Sequence, residues 1–572
     1  MSTDAPTPPP RFRSLTELRA KLGAALRDGG HLTEATLRDL QQRAAWEHEA
    51  LDHLLLRDGI LSEKTLQQQL STLSGIPLLR EYRLAIDDQI IQLVPPRAVT
   101  RYRIVPLALE DRRLILATDH LREPQEEEQL QVVLGRPVGW ALCTRRELDD
   151  LVTHFYGVGI DIFLDLDNGG GTPAGTGHRD IPAFVDAILR DAIQSQATDI
   201  HFEPGEDVFR VRYRIDGVLY AARLPRGVEQ HQRAILSSLK VMAQLDIAER
   251  RLPQDGRLEK SLDDQSFDIR VSVLPTRYGE SIELRILNRS ATFLRMDELG
   301  LPAPQRRTLE EILRQPHGLL LFTGPTGSGK TTSLYAALAE MNDNARKIIT
   351  IEDPVEYQIR GITQLQVHHA IGFTFASGLR SILRHDPDLI LVGEIRDDAT
   401  ADIAVSAALT GHLVLSTLHT NDSASAPMRL IDMGIEPYLV ASSLQGIVAQ
   451  RLVRRLCPDC REPAPLDDSY QAELRQWLPE SQPVPAQVWR GRGCPHCRFT
   501  GYQGRRALYE ILEVDDQLRS LIVERATSSV LLQHAASRGL IPLRQAGWAL
   551  VLRGETSLED LLRVTSHRRP TA

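Results

Sequence analysis

A chain of 572 residues exceeds what one hydrophobic core fills, so three or four domains of ordinary size are expected. A hydrophobic share of 42% with 25% charged residues fits a soluble globular chain, and no apolar run approaches the roughly 18 residues of a spanning helix. The net charge of −9 would repel a phosphodiester backbone, which argues against a nucleic-acid partner.

Met1–Arg13 is proline-rich and lacks the apolar core of a signal peptide, so a cytoplasmic chain with a disordered start over residues 1–15 is expected. An approximate repeat follows. Leu26-Arg27-Asp28-Gly29 with Thr33 to Leu37 returns as Leu56-Arg57-Asp58-Gly59 with Ser62 to Leu66. Each copy reads as helix, glycine stop, N-cap and helix. With strand-like residues in Tyr102–Ala117, this gives a mostly helical α/β domain over 16–157. Residues 158–180, which include the glycine-rich Asn168–Asp180, read as a flexible linker.

Ile181–Ser195 has helical apolar spacing, and strands then follow. Phe209, Val211, Tyr213 and Ile215 alternate with Arg210, Arg212 and Arg214, while Phe267–Val273 and Ile282–Leu287 carry Arg270 and Arg285 on their polar faces. A helix-plus-sheet domain over 181–294 is expected. Its arginines, Arg277 included, form either a salt-bridged sheet face or a source of positive charge for a transferring phosphoryl group in a neighbouring domain or subunit. Arg380 and Arg384 are further candidates for that task.

The remainder, 295–572, carries the chemistry. Gly318–Thr323 reads as a buried strand that feeds Gly324-Pro325-Thr326-Gly327-Ser328-Gly329-Lys330-Thr331, followed by Thr332 and a helical apolar period. This fits G-x-x-x-x-G-K-[ST] in its required strand-to-helix setting. Backbone N–H groups of such a loop bind phosphate oxygens, Lys330 neutralises β/γ-phosphate charge, and Thr331 offers a hydroxyl to Mg²⁺. ATP and Mg²⁺ are the implied ligands.

A second apolar strand, Leu389–Val392, ends in Gly393-Glu394, which puts a carboxylate near the phosphates for Mg²⁺ or its water. A salt-bridged helix cap is the alternative. Lys347–Ile351 delivers Glu352, Asp353 and Glu356, any of which could act as general base, unless the turn is only a solvated loop. Thr410–Thr420 is a buried strand with His412 and His419 at its ends, placed either to sense the γ-phosphate or to serve structure. Cys457-Pro458-Asp459-Cys460 and Cys494-Pro495-His496-Cys497 have the spacing of two knuckles closing one structural Zn²⁺ site, with His496 outside the ligand set. Cys143 reads as a buried small side chain.

In order, GPTGSGKTT, TIEDPVEY, LRHDPDLILVGEIRD and TGHLVLSTLHTND resemble the Walker A, Asp-box, Walker B and His-box motifs of secretion ATPases. ATDIHFEP, RVRYRIDGVL, RRLPQDGR and LPTRYGESIELRIL resemble that family's arginine-bearing domain, and RLCPDC with GCPHCRFTGYQGRRALYE its zinc module. The resemblance covers Ile181 to the end. It implies an α/β multidomain fold: a RecA-like P-loop domain with a zinc module over 451–510, a PAS-like domain before it, and an N-terminal docking or regulatory domain.

It also implies a motor of the type II secretion and type IV pilus assembly group. Such a motor is a homohexamer that hydrolyses ATP at subunit boundaries to drive pilin-like subunits through an inner-membrane platform protein. By position, Lys330 and Thr331 take phosphate and Mg²⁺, Glu356 is the general base, Glu394 the Walker B carboxylate, and His412 and His419 the His-box pair. Glu352, Arg270 and Arg285 complete the expected catalytic set, and Cys457, Cys460, Cys494 and Cys497 bind zinc.

Retraction motors of pili generally lack the zinc module, and the short stretch between the cysteine pairs looks like that of type II secretion members. Pilus assembly is the alternative. The N-terminal repeat resembles a domain that binds cyclic di-GMP in some relatives, but its copies begin Lys21-Leu22-Gly23 and Leu51-Asp52-His53 where that domain has Arg-Leu-Gly. Docking to the cytoplasmic part of a bitopic membrane partner is therefore the expected role, with peripheral association at the inner membrane. ATP hydrolysis is expected to drive rigid-body motion across a joint near Leu294–Pro302. A nucleotide-controlled scaffold and a DNA-moving NTPase are the readings from other classes.

Overall fold

The computed structural model describes residues 15–47, 49–82, 86–168, 180–262, 265–288, 294–343, 345–478 and 482–565. The expected disordered start and the glycine-rich stretch of the expected linker lie outside them. Two compact units result, Met1–Leu287 with Cys494–Arg498, and Asn288–Gly493 with Phe499–Ala572.

In the first unit the repeat folds as the sequence predicts. Leu15–Asp28 and Glu34–Glu47 form one helix pair, and Leu51–Arg57 and Glu63–Ser74 the other. Gly30 and Gly59 adopt φ of +74° and +66° at the equivalent turns, a region open to glycine at little cost. Thr33 and Ser62 cap the following helices through the Thr36 and Thr65 amides, each at 3.2 Å. Leu22, Leu26, Leu54, Leu55 and Leu70 make the shared core. A three-stranded sheet follows in the order Val105–Glu110, Arg113–Thr118, Val138–Leu142. Cys143 is buried, and burial pushes its thiol well up.

The expectation of a linker starting at 158 is corrected. Ile160–Asn168 is a helix, and Val158 and Phe163 belong to the next core, with the Phe163 ring 5.9 Å from that of Phe184. Its short apolar period was hidden by the glycines that follow it.

That core lies between the helices Asp180–Gln194 and Gln232–Met242 and a six-stranded sheet, ordered Val218–Ala222, Phe209–Ile215, Ala197–Pro204, Gly279–Asn288, Gln265–Thr276, Gln254–Leu262. Alternation does the sorting: Phe209, Val211 and Tyr213 turn inward while Arg210 stays exposed.

The second unit is built on a seven-stranded sheet ordered Thr363–Gln366, Ile348–Glu352, Leu389–Val392, Leu413–Leu418, Gly318–Thr323, Leu444–Leu456, Tyr502–Glu513. All neighbours pair in parallel except the last, which runs antiparallel to Leu444–Leu456. Helices cover both faces, which is why these strands read as continuous apolar runs. Leu319 and Leu321 pack into one core with the helices Phe375–Ile382 and Asp398–Leu409, while Leu320 and Phe322 pack into the other with the helix Lys330–Met341. One parallel direction brings four strand ends, Thr323, Glu352, Val392 and Leu418, to a single edge of the sheet. Among the described residues no helix is long and apolar enough to cross a membrane.

Candidate active site

The loop Gly324–Gly329 leaves the buried strand Gly318–Thr323 and enters the helix Lys330–Met341. A side chain at Gly324, whose φ is +147°, would meet the Gln450 carbonyl at 2.6 Å and Arg451 Nη1 at 3.0 Å. At Gly329, with φ +87°, it would meet Gln450 Nε2 at 2.8 Å. These glycines are required by backbone conformation and by the neighbouring strand together.

Lys330 is 9% exposed and donates to the carbonyls of Gly324 (2.8 Å) and Pro325 (3.0 Å). Burial pulls its ammonium down to about 8; the charge of Arg451 adds to this and that of Glu394 opposes it. Ser328 Oγ is buried with no hydrogen-bond partner. A loop with an orphan hydroxyl, a buried cation and a helix N-terminus fits a polyphosphate. Thr331 and Thr332 are exposed at the start of that helix.

Gly393 and Glu394 follow the strand Leu389–Val392 at the same sheet edge. The Glu394 side chain is 14% exposed and pairs with Arg396 Nη2 (2.6 Å) and His419 Nε2 (3.2 Å). Thr417 Oγ1 donates to the Gly393 carbonyl at 2.8 Å, fixing this turn to the strand Leu413–Leu418. Thr331 and Glu394 suit a hard cation such as Mg²⁺, being oxygen donors beside the phosphate loop.

The histidines are not a pair in space, and this corrects their joint assignment within one chain. Leu418 lies opposite Thr323, which puts His419 beside the phosphate loop, whereas Leu413 lies opposite Gly318. His412 therefore sits at the other edge of the sheet, where its backbone carbonyl accepts from Gly318 N and its Nδ1 lies 3.0 Å from the Ala407 carbonyl.

Glu352, one of the general-base candidates, ends the strand Ile348–Glu352 and is buried there. Its carboxylate, 4% exposed, accepts from the Tyr335 hydroxyl, from Thr350 Oγ1 (2.6 Å) and from Gln364 Nε2 (3.2 Å). Donors thus cover both of its oxygens. Glu356 is exposed, and its amide donates to the Tyr335 hydroxyl at 3.4 Å. Tyr335, from the phosphate-loop helix, thereby ties that helix to the acidic turn, and burial followed by the Glu352 bond raises its phenol pKa.

Arg270 and Arg285 lie in the first unit. Arg285 Nε donates to Asp199 Oδ1 at 3.1 Å, and Arg214 Nε lies 3.4 Å from Asp199 Oδ2, so part of this face is salt-bridged. Arg212 pairs with Glu203 at 2.5 Å, Arg277 lies over the Tyr278 ring, and Arg270 Nε is buried with no partner. Arg380 is exposed, and Arg384 donates to the Arg380 carbonyl at 2.9 Å.

The strands Leu444–Leu456 and Tyr502–Glu513 pair so that Leu456 faces Tyr502. Cys457 and Cys460 just follow the first, and Cys494 and Cys497 just precede the second. The four Sγ atoms lie within 4.8 Å of one another, against about 3.8 Å expected between sulfurs around tetrahedral zinc. Gly493 N donates to Cys460 Sγ (3.3 Å) and Cys494 N to Cys497 Sγ (3.2 Å), as suits thiolate ligands. His496 is not among the clustered ligands. Four sulfurs leave no open position, so a zinc ion here would be structural.

The family model described as "Type II/IV secretion system protein" matches residues 175–563, more than half of the chain. The chain belongs to that family. A second model, described as "MshEN domain", matches 74–161, which begins after both copies of the repeat at Leu26–Leu37 and Leu56–Leu66. The type IV pilus assembly ATPase PilB of Myxococcus xanthus is 38% identical over 96% of this chain and 100% of its own. The type II secretion system protein E of Pseudomonas aeruginosa is 49% identical over 67% of this chain and 75% of its own. That of Xanthomonas campestris is 38% identical over 95% and 97%.

This secretion-family ATPase couples ATP hydrolysis to secretion or pilus assembly. Sequence reasoning missed Tyr335, Gln450 and Arg451 at its phosphate loop. For Gln450 and Arg451 the signal is two polar residues inside the otherwise apolar run Ile447–Val453. No such signal marks Tyr335.

Proposed function

We propose that the chain is the ATP-hydrolysing motor of a type II secretion system, working as a homohexamer that drives assembly of pseudopilin subunits. The observation that carries the reading is the meeting of the phosphate loop, Glu394 and His419 at one sheet edge, with His419 Nε2 3.2 Å from Glu394. Lys330 and the loop amides would hold the polyphosphate of ATP, and Glu394 and Thr331 would hold Mg²⁺, directly or through water; bound there, the ion would supply neutralisation of phosphate charge. Glu356, the exposed carboxylate of the acidic turn, takes the proton of the attacking water. Arg270 and Arg285 are the candidates for completing the site across a domain or subunit boundary. Motion between the arginine-bearing domain and the P-loop domain transmits the work.

The 49% identity with a type II secretion relative supports that system. Type IV pilus assembly is the second reading, favoured by the match to all of PilB. We assign the N-terminal domain to docking on the cytoplasmic part of a bitopic membrane partner, beside the inner-membrane platform protein. Cyclic di-GMP is the alternative ligand there.

ATP turnover by the full chain, compared with Lys330→Ala and Glu394→Ala in folded protein, tests the chemistry, and intact turnover in either variant would refute it. Light scattering tests the hexamer. Complementation of a strain deleted for this gene, scored for enzyme secretion against surface pili, separates the two systems.

A further inference from the structure

The strand Leu444–Leu456 passes the phosphate loop, with Ala449 opposite Thr323, so the next residues, Gln450 and Arg451, lie level with Gly324. Arg451 is 7% exposed. Its Nη1 donates to the Gln450 carbonyl at 3.0 Å and its Nη2 to the Asn421 carbonyl at 2.6 Å, with Asn421 Oδ1 at 3.4 Å. Among the described residues no carboxylate lies within ion-pairing distance of it. Glu510 spends its buried carboxylate on Ser423 N (2.9 Å), Ser423 Oγ (2.6 Å) and Leu543 N (3.1 Å) instead.

Burial lowers the pKa of this guanidinium, and Glu510 and Asp422 oppose that only through longer-range attraction, so an anion brought into direct contact would offset the cost of burying it. Here the adjoining space is the phosphate loop. The Asn421 carbonyl it grips lies two residues beyond His419, and the intervening Thr420 is tied to Thr323 by its amide and its hydroxyl, at 3.0 and 2.5 Å. The His419–Asn421 segment is thus held from the phosphate-loop strand on one side and from Arg451 on the other.

We propose that Arg451 is a positioning residue of the ATPase site, a fixed cation of the same chain that locks the His419 segment against the phosphate loop. It acts through His419 and Glu394 on the water and metal side of the site, and through its charge on the phosphates. The inference rests on the family's ATPase activity. Absence of turnover in the unaltered chain would strike at that activity, whereas the variants below strike at Arg451.

The test compares full-length Arg451→Lys and Arg451→Gln with the unaltered protein for kcat, KM, affinity for a fluorescent ADP analogue, and melting temperature. Lysine keeps the charge and loses the fork, so kcat falls about tenfold to a hundredfold while ADP affinity stays within about threefold. Glutamine loses the charge as well and weakens ADP binding by about tenfold. Combined with His419→Ala, the lysine variant loses little beyond the larger single effect, because both act through one segment. Kinetics and ADP affinity unchanged in both variants, additive losses in the double variant, or losses that follow the fraction unfolded would each overturn the proposal. If neither Arg451 variant folds, Thr420→Val loosens the same segment from the Thr323 side. It must lower kcat at unchanged ADP affinity, and an unaltered kcat there would overturn the proposal too.

Discussion

His419 Nε2 lies 3.2 Å from Glu394 Oε2, joining residues just beyond the ends of two adjacent parallel strands at the edge of the sheet that bears the phosphate loop. Glu394→Gln keeps the size of the side chain and removes its charge, so kcat is expected to fall by about a hundredfold or more with nucleotide affinity largely kept. His419→Ala frees Glu394 from one of its two partners and should lower kcat less, by about tenfold. His412→Ala, at the opposite sheet edge, should leave turnover by the isolated chain within about twofold. Steady-state kinetics on the three variants checks the ordering. An equal loss at His412 and His419 would contradict the placement of His412 away from the site.

Tyr335→Phe removes one donor from the buried Glu352 carboxylate and the acceptor of the Glu356 amide. Thr350 and Gln364 remain on Glu352, so the loss of stability is expected at roughly 1–3 kcal/mol. The turn carrying Glu356 also loses its tie to the phosphate-loop helix, so kcat should drop more than ATP affinity does. Chemical denaturation and single-turnover kinetics on one preparation separate these effects.

The fold of the second unit was legible because its strands are buried on both faces and so stand out as apolar runs, each followed at once by its functional group. Gly324 to Thr331, Glu394 and His419 each sit within a few residues of such a run. What stayed hidden depends on which strands become neighbours. Arg451 matters because Leu444–Leu456 lies beside Gly318–Thr323, a pairing across more than a hundred residues that no local pattern announces. Glu352 looked like a free carboxylate because its three donors come from a helix, its own strand and a neighbouring one. His412 was open to reason: six strand residues span roughly 20 Å, so two histidines flanking such a strand cannot meet one phosphate within a chain. In the first unit, the helix Ile160–Asn168 was masked by its glycine-rich sequel.

Lys330 gives the site a pH signature. Burial lowers its pKa to about 8 from an ordinary 10.5, so below pH 8 the folded protein carries the buried charge. Between about 8 and 10.5 the folded chain sheds that proton before the unfolded one does, so this group's contribution to stability rises with pH across that window. Activity runs the other way. Phosphate binding needs the ammonium, so kcat/KM should fall as pH rises through about 8. Near pH 8, nucleotide binding should take up roughly half a proton as the phosphates restore the charge. Calorimetry in buffers of different ionisation enthalpy measures that uptake, and none at pH 8 would show that Lys330 is fully charged beforehand.

The hairpin of Leu444–Leu456 and Tyr502–Glu513 carries Gln450 and Arg451 on the strand that continues into Cys457. Cys460→Ser removes one of four ligands and the acceptor of the Gly493 amide. Structural zinc is worth about 10–16 kcal/mol in small zinc-finger peptides, so a three-sulfur site should lose most of its metal and open the knuckles. Elemental analysis should then find about one zinc per chain in the unaltered protein and far less in the variant, with a lower melting temperature in the variant. Because the strand itself is anchored on both sides, at Leu319–Thr323 and at Gly446–Arg454, the phosphate loop should keep its nucleotide affinity within about fivefold. Loss of nucleotide binding in step with zinc would instead show that the cluster holds Arg451 in place.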